Sequence, residues 1–272
     1  MKVFLWIGVL IASVPFSMKG EYNVRIYSEK ENGEVRYYVD NNEWCPVSVV
    51  FDFELKNMKS SKGPEFTVVI PAQSSKFPVT TLKPYKENEL YGFKYKTTII
   101  LGNVHAVHDQ GYVYELPFPP GKTYKIFQGY NGRLSHVGQN ALDFSMAVGD
   151  SVLAARSGVV VDVVQHNHQS CMDPGCEKFN NYILVYHEDG TFGEYAHIRK
   201  DGSLVMPGDS ISAGCAIALS GDVGFTSGPH LHFIVYLPGK KGKKSVKTLF
   251  RTQNNTSEYL VEGASYYRTK NN

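Results

Sequence analysis

Short apolar-rich, β-forming runs alternate with polar turn segments along most of this chain, the pattern expected of a protein built from strands. "VRIYSEKENGEVRYYVDN", from Val24 to Asn41, holds two such runs around Glu31-Asn32-Gly33, a β-hairpin signal. "VSVVFDFEL", "FTVVIPA" and "FKYKTTIILGNV" continue the pattern, separated by Gly-, Pro-, Ser- and Lys-rich connections. Amphipathic helical runs are scarce, and neither a βαβ unit nor a long internal repeat is legible. Short strands broken by turns predict a small β-sandwich-like domain over residues 21–116. "PFPPG", Pro117 to Gly121, reads as a linker, because closely spaced prolines stop both a helix and a central strand.

Beyond it, Gly-punctuated strand segments follow: "GDSVLAARSGVVVDVVQH", "NNYILVYHEDGTFGEYAHI", "GDSISAGCAIALSG" and "PHLHFIVYLPG". "HEDGTFGEYAH" predicts a hairpin with its turn at Asp189-Gly190. The chain is therefore expected to be mainly β, with a second β domain over residues 117–250. Residues 251–272 form a polar, Asn- and Tyr-rich tail expected to be partly disordered.

The first residues break the alternation. "MKVFLWIGVLIASVPFSMKG" places Lys2 before an apolar run from Val3 to Phe16. That is signal-peptide layout, and the run is short for a membrane span, which needs about 20 apolar residues. Residues 1–20 are expected to be a signal peptide cleaved between Ser17 and Glu21, making the chain secreted or periplasmic. No stable membrane insertion is expected after cleavage. Export makes the four cysteines candidates for disulfides. Cys171 and Cys176 flank a Pro-Gly turn in a polar loop and are expected to pair. Cys215, in "AGCAIAL", reads as a buried thiol.

Composition narrows the function classes. A chain of 272 residues with 42% hydrophobic and 20% charged residues can bury a sizeable core. Its net charge of +2 is too close to balance to suggest a nucleic-acid partner. The basic run "GKKGKKSVK" reads as a hairpin tip that could touch an anionic wall polymer, although such runs are usually solvated loops.

The chemistry gathers in a few histidines. In "TSGPHLHFIVY", strand-forming residues follow His230 and His232, so alternation projects both imidazoles from one face and turns Leu231 the other way. A lone His-x-His is weak, but "GRLSHVGQNALDF" adds His136 and Asp143, and "GEYAHI" adds His197 on another strand. His166 and His168 beside Cys171 and Cys176 could imitate a second zinc site, yet in an exported chain a disulfide-closed loop is the better reading. His105, His108 and His187 carry no comparable pattern.

These motifs, in this order, resemble the lysostaphin/LytM-type zinc metallopeptidases of the M23 family, over roughly Gly121 to Tyr236. The resemblance implies an antiparallel β-sheet catalytic domain with an open groove. It implies His136, Asp143 and His232 as ligands of one catalytic zinc ion, and His197 and His230 as the catalytic pair. Six residues separate His136 from Asp143, where the compact family motif has three. Two imidazoles and a carboxylate leave the fourth zinc position for water, as hydrolysis requires. The expected activity is an exported zinc endopeptidase, acting as a monomer on stem or cross-bridge peptides of peptidoglycan. The alternative is a non-catalytic zinc- or cell-wall-binding module on the same scaffold.

Overall fold

The computed structural model describes residues 22–86, 89–253 and 256–269. The signal-peptide reading of residues 1–20 lies outside the described residues. The architecture is mainly β, as the alternation predicts, and the described residues include a 3-10 turn at Pro174–Phe179. No helix among them is long and apolar enough to cross a membrane.

The chain divides into two compact units. Among the described residues, one takes those up to Glu43 with those of Val49–Ile99, and the other takes Trp44–Ser48 with those from Ile100 onward. In the first unit, Val24–Glu31 and Glu34–Asn41 pair as the expected hairpin, with Asn32 and Gly33 at φ of 50° and 80°. Those left-handed values suit a two-residue turn whose twist matches the strands. The strands Val24–Glu31, Glu34–Asn41, Ser74–Pro84 and Met58–Ser60 form one sheet in that order. Glu65–Ile70, Val47–Lys56 and Gly92–Leu101 form another. Tyr37 from the first sheet meets Phe53 from the second edge to face, with ring centroids 5.3 Å apart. The unit is thus sandwich-like, with aromatic rings filling the space between its sheets.

The second unit is built on a nine-stranded sheet. Its main path runs Ser210–Ile211, Gly158–Val164, Tyr182–Tyr186, Phe192–Ala196, Leu231–Leu237, Ala141–Phe144, Thr123–Gln128 and Ser265–Tyr267, and every pairing along it is antiparallel. Lys244–Val246 adds to Leu231–Leu237. Tyr182–Tyr186 and Phe192–Ala196 are the two arms of the expected hairpin around Asp189-Gly190. One face of the sheet packs on a core that includes Leu142, Phe144, Ile183, Tyr195, Leu231 and Phe233.

Three sequence expectations change. Tyr114, Leu116 and Phe118 are fully buried in this core, so "PFPPG" runs inside the second unit, and contacts divide the chain after Ile99. The tail is built into the sheets: Ser257–Tyr259 pairs with Leu249–Arg251, Ser265–Tyr267 pairs with Thr123–Lys125, and Leu260 and Tyr266 are buried. Its polarity hid these few apolar anchors. Cys215 is exposed, because its run turns outward just before the strand Ala216–Ser220. Cys171 and Cys176 are joined, as expected.

Candidate metal centre

Neighbouring strands assemble the site as a row across the sheet. Gln128 stands opposite Asp143, Asp143 opposite His232, and His232 opposite Ala196. Directly opposed residues of antiparallel strands present their side chains on one face. Gln128, Asp143 and His232 therefore project together, while Leu142, Phe144, Leu231 and Phe233 turn into the core behind them.

His136 comes from the preceding loop. Its backbone N–H donates to Gly132 O at 3.2 Å, and its own carbonyl accepts from Gln139 N at 2.8 Å. Gly138, at φ 74°, completes the turn. The long spacer between His136 and Asp143 thus folds back on itself before the chain enters the strand Ala141–Phe144.

His136 Nε2 lies 3.2 Å from Asp143 Oδ1, His232 Nδ1 lies 2.9 Å from the same oxygen, and the two nitrogens are 3.2 Å apart. His136 Nδ1 donates to Gly129 O at 3.0 Å, which leaves the Nε2 lone pair facing the carboxylate. Three such donor atoms, with His136 and Asp143 only 1% and 3% exposed, form a group able to hold a metal ion. A tetrahedral zinc with bonds near 2.0–2.1 Å needs ligand–ligand edges of about 3.3 Å, so residue types and spacing both fit. Burial alone would raise the Asp143 pKa, but the neighbouring imidazoles of His136, His232 and His230 outweigh it and hold the carboxyl well below its usual range. Burial likewise opposes protonation of His232, and Asp143 overcomes it and raises the imidazole's pKa.

His197 and His230 stand beside this triangle. Their ring centroids are 4.6 Å apart, and His230 Nε2 is 3.7 Å from Asp143 Oδ1. His197 Nδ1 donates to Val223 O and His230 Nδ1 to Gly228 O, each at 2.8 Å, so each Nε2 carries a lone pair. Burial, and then His230, push the His197 pKa down to about 3. The sequence places His197 within a strand. It lies instead between Phe192–Ala196 and Ile198–Ser203 at φ 63°, a left-handed conformation. Histidine tolerates that region better than most residues, and such a kink re-aims a side chain at a strand end. His230 precedes its strand by one residue and bridges Gly221.

All five sequence-predicted site residues therefore meet around one point. His136, Asp143, His197, His230 and His232 all line a groove of about 500 Å³, which Phe127, Leu134, Met172, Glu177 and Phe225 also line. Glu194 lines it too and pairs with Lys243 at 2.9 Å. His108 and His187 lie elsewhere: His108 faces Asp189 at 3.4 Å and His187 is fully buried. Sequence reasoning missed Gln128 and Thr226. Gln128 donates to Asp143 Oδ2, and Thr226 Oγ1 bonds Gly228 O and approaches His230 Nδ1. Neither carries a sequence signal, because each acts through a neighbour distant in sequence or across a turn.

Residues 137–246 match the model of peptidase family M23. The chain is similar to an uncharacterised metalloprotease of Buchnera aphidicola, at 30% identity over 61% of this chain and 42% of the relative. It is similar to the peptidoglycan DD-endopeptidase ShyA of Vibrio cholerae, at 29% identity over 45% of this chain and 27% of that protein. Among solved structures, the catalytic domain of lysostaphin from Staphylococcus simulans aligns with 51% of this chain and 87% of its own length, at 25% identity and a TM-score of 0.33. The chain spans less than half the length of these curated relatives.

Proposed function

We propose, from the match of residues 137–246 to the model of peptidase family M23, that this chain is an exported zinc-dependent endopeptidase. It hydrolyses stem or cross-bridge peptides of bacterial peptidoglycan outside the cytoplasm, acting as a monomer. The observation that carries this reading is the convergence of His136 Nε2, Asp143 Oδ1 and His232 Nδ1 beside two further imidazoles. Similarity to the DD-endopeptidase ShyA supports the substrate class.

His136, Asp143 and His232 would hold the metal. When bound, zinc supplies Lewis acidity, polarising a peptide carbonyl and lowering the pKa of water toward about 7. Asp143 offsets one of the ion's two charges, so the centre keeps a net positive charge toward the carbonyl. His197 and His230 handle protons. With each Nδ1 proton tied to a backbone carbonyl, each Nε2 can accept a proton from water and, once protonated, donate to the developing oxyanion or pass that proton to the leaving amine. The groove admits an extended peptide, and the first unit serves docking or substrate positioning.

The test is digestion of purified peptidoglycan by the mature chain, with fragment masses and bound zinc both measured. His232→Ala should lose zinc and cleavage together. His197→Ala should keep zinc while cleavage falls by roughly 10²–10⁴-fold, the range for a general acid–base group. A parent that binds zinc and releases no fragments would make the chain a binding module.

A further inference from the structure

Gln128 ends the strand Thr123–Gln128 and is 3% exposed, yet its side-chain amide makes four hydrogen bonds within the site. Nε2 donates to Asp143 Oδ2 and to Ser135 Oγ, each at 2.9 Å. Oε1 accepts from Leu134 N at 2.9 Å and from Ser135 N at 3.0 Å. One amide thus grips the Asp143 oxygen that faces away from the two imidazoles, and also the backbone immediately before His136. Gly129, the next residue, accepts the His136 Nδ1 proton on its carbonyl.

The local backbone makes room for this arrangement. A Cβ on Gly132 would lie 2.3 Å from Gln128 Cγ and 2.9 Å from both Cδ and Oε1. The turn from Gly129 to Gly132, closed by Gly132 N donating to Gly129 O at 3.1 Å, wraps around the Gln128 side chain. A glutamine is suited to the task because one end donates to a carboxylate while the other accepts from backbone N–H groups. Glutamate could not donate to Asp143 while ionised, and asparagine is one methylene shorter.

We infer that Gln128 is a positioning residue for the ligand set: through one amide it fixes the orientation of the Asp143 carboxylate and the turn that presents His136. The inference rests on reading His136, Asp143 and His232 as metal ligands. An unrestrained Asp143 could rotate Oδ1 out of the triangle, and an unrestrained turn at Leu134–Ser135 would let His136 swing. Both losses fall on metal affinity, where groups that hold ligands in place act.

The experiment measures the zinc dissociation constant of the full mature chain by competition with a chromogenic chelator. The parent is compared with Gln128→Met, which keeps bulk and removes all four hydrogen bonds, and with Gly132→Ala, which keeps the amide and displaces it. Both variants are expected to bind zinc roughly 10–100-fold more weakly, the range for residues that orient metal ligands. A mere brace of the turn would lower the thermal midpoint of the metal-free chain and leave the zinc constant unchanged. Parent-like zinc binding in whichever variants fold would overturn the role of Gln128. A parent that binds no zinc would instead overturn the ligand assignment beneath it.

Discussion

His187 shows how a single side chain can set a pH limit on a fold. Its Nδ1 donates to Ser157 O at 2.9 Å, while Nε2 is buried without a hydrogen-bond partner. A Cβ on Gly193 would come within 2.8 Å of that Nε2, so the ring packs closely against the Gly193 backbone. Burial first, and Arg156 among lesser causes, lower its pKa from 6.5 to about 4. The folded chain therefore refuses a proton that the unfolded chain accepts. The resulting stability is present above the unfolded pKa of 6.5 and is lost as pH falls through about 4. The size of the loss is about 3 kcal/mol, from the shift and the free energy per pKa unit. Urea unfolding of the metal-free chain near neutral pH and near pH 4 should show His187→Gln losing less stability on acidification than the parent, by up to about that amount. Equal losses in both would show that the imidazole takes up its proton without unfolding.

At the scale of elements, the disulfide loop has a reach that its sequence does not announce. Cys171–Cys176 closes the loop, and Asp173 Oδ1 caps its 3-10 turn by accepting from Gly175 N. The loop docks on the stretch Val223–Gly228. Gly224 N donates to Gln169 O at 2.8 Å, Thr226 N to Cys171 O at 3.1 Å, and Phe225 N to Asn180 Oδ1 at 2.9 Å. The approach is so close that a Cβ on Gly224 would fall 1.9 Å from Asn180 Oδ1, and Gly224 is at φ 96°. The same stretch supplies the carbonyls of Val223 and Gly228 that orient His197 and His230. Replacing both cysteines by serine should lower unfolding free energy by about 2 kcal/mol, the loop-closure value for so short a ring. Cleavage should slow roughly tenfold, because loosened carbonyls let both imidazoles drift from their working positions. Zinc affinity should stay at the parent level, since none of the three ligands leans on this loop. Chelator competition beside a digestion assay checks the separation, and a joint loss of zinc would refute it.

The whole molecule places a boundary where sequence reasoning does not. Tyr114, Leu116 and Phe118 belong to the core of the second unit, and so does Cys45, packed with Val161, Leu184, Phe192 and Tyr236. Val113–Tyr114 also pairs in parallel with Leu249–Phe250. A chain shortened to begin at Gly121 loses all of these. Each large side chain removed forfeits on the order of 1.5–3 kcal/mol of burial, and several together approach the whole stability of an ordinary domain. That shortened chain should fail to unfold cooperatively in a thermal scan. One beginning at Ile100 keeps the three aromatic and aliphatic anchors and should fold with a lowered midpoint. A cooperative transition in the Gly121 chain at the parent's midpoint would refute this account of the core.

Strand content, the two hairpin turns, the local disulfide and the facing of Asp143 and His232 were legible in the sequence, because each depends on neighbours close along the chain. Alternation of two puts Asp143 opposite in facing to Leu142 and Phe144, and His232 opposite to Leu231 and Phe233, whatever the rest of the fold does. The row Gln128, Asp143, His232 was not legible, since it depends on which strands become neighbours and in what register. The left-handed kink at His197 and the burial of the segment before Pro117 are of the same kind. Local periodicity settles which way a side chain faces, but only long-range pairing, with the loop closures it demands, settles what it faces.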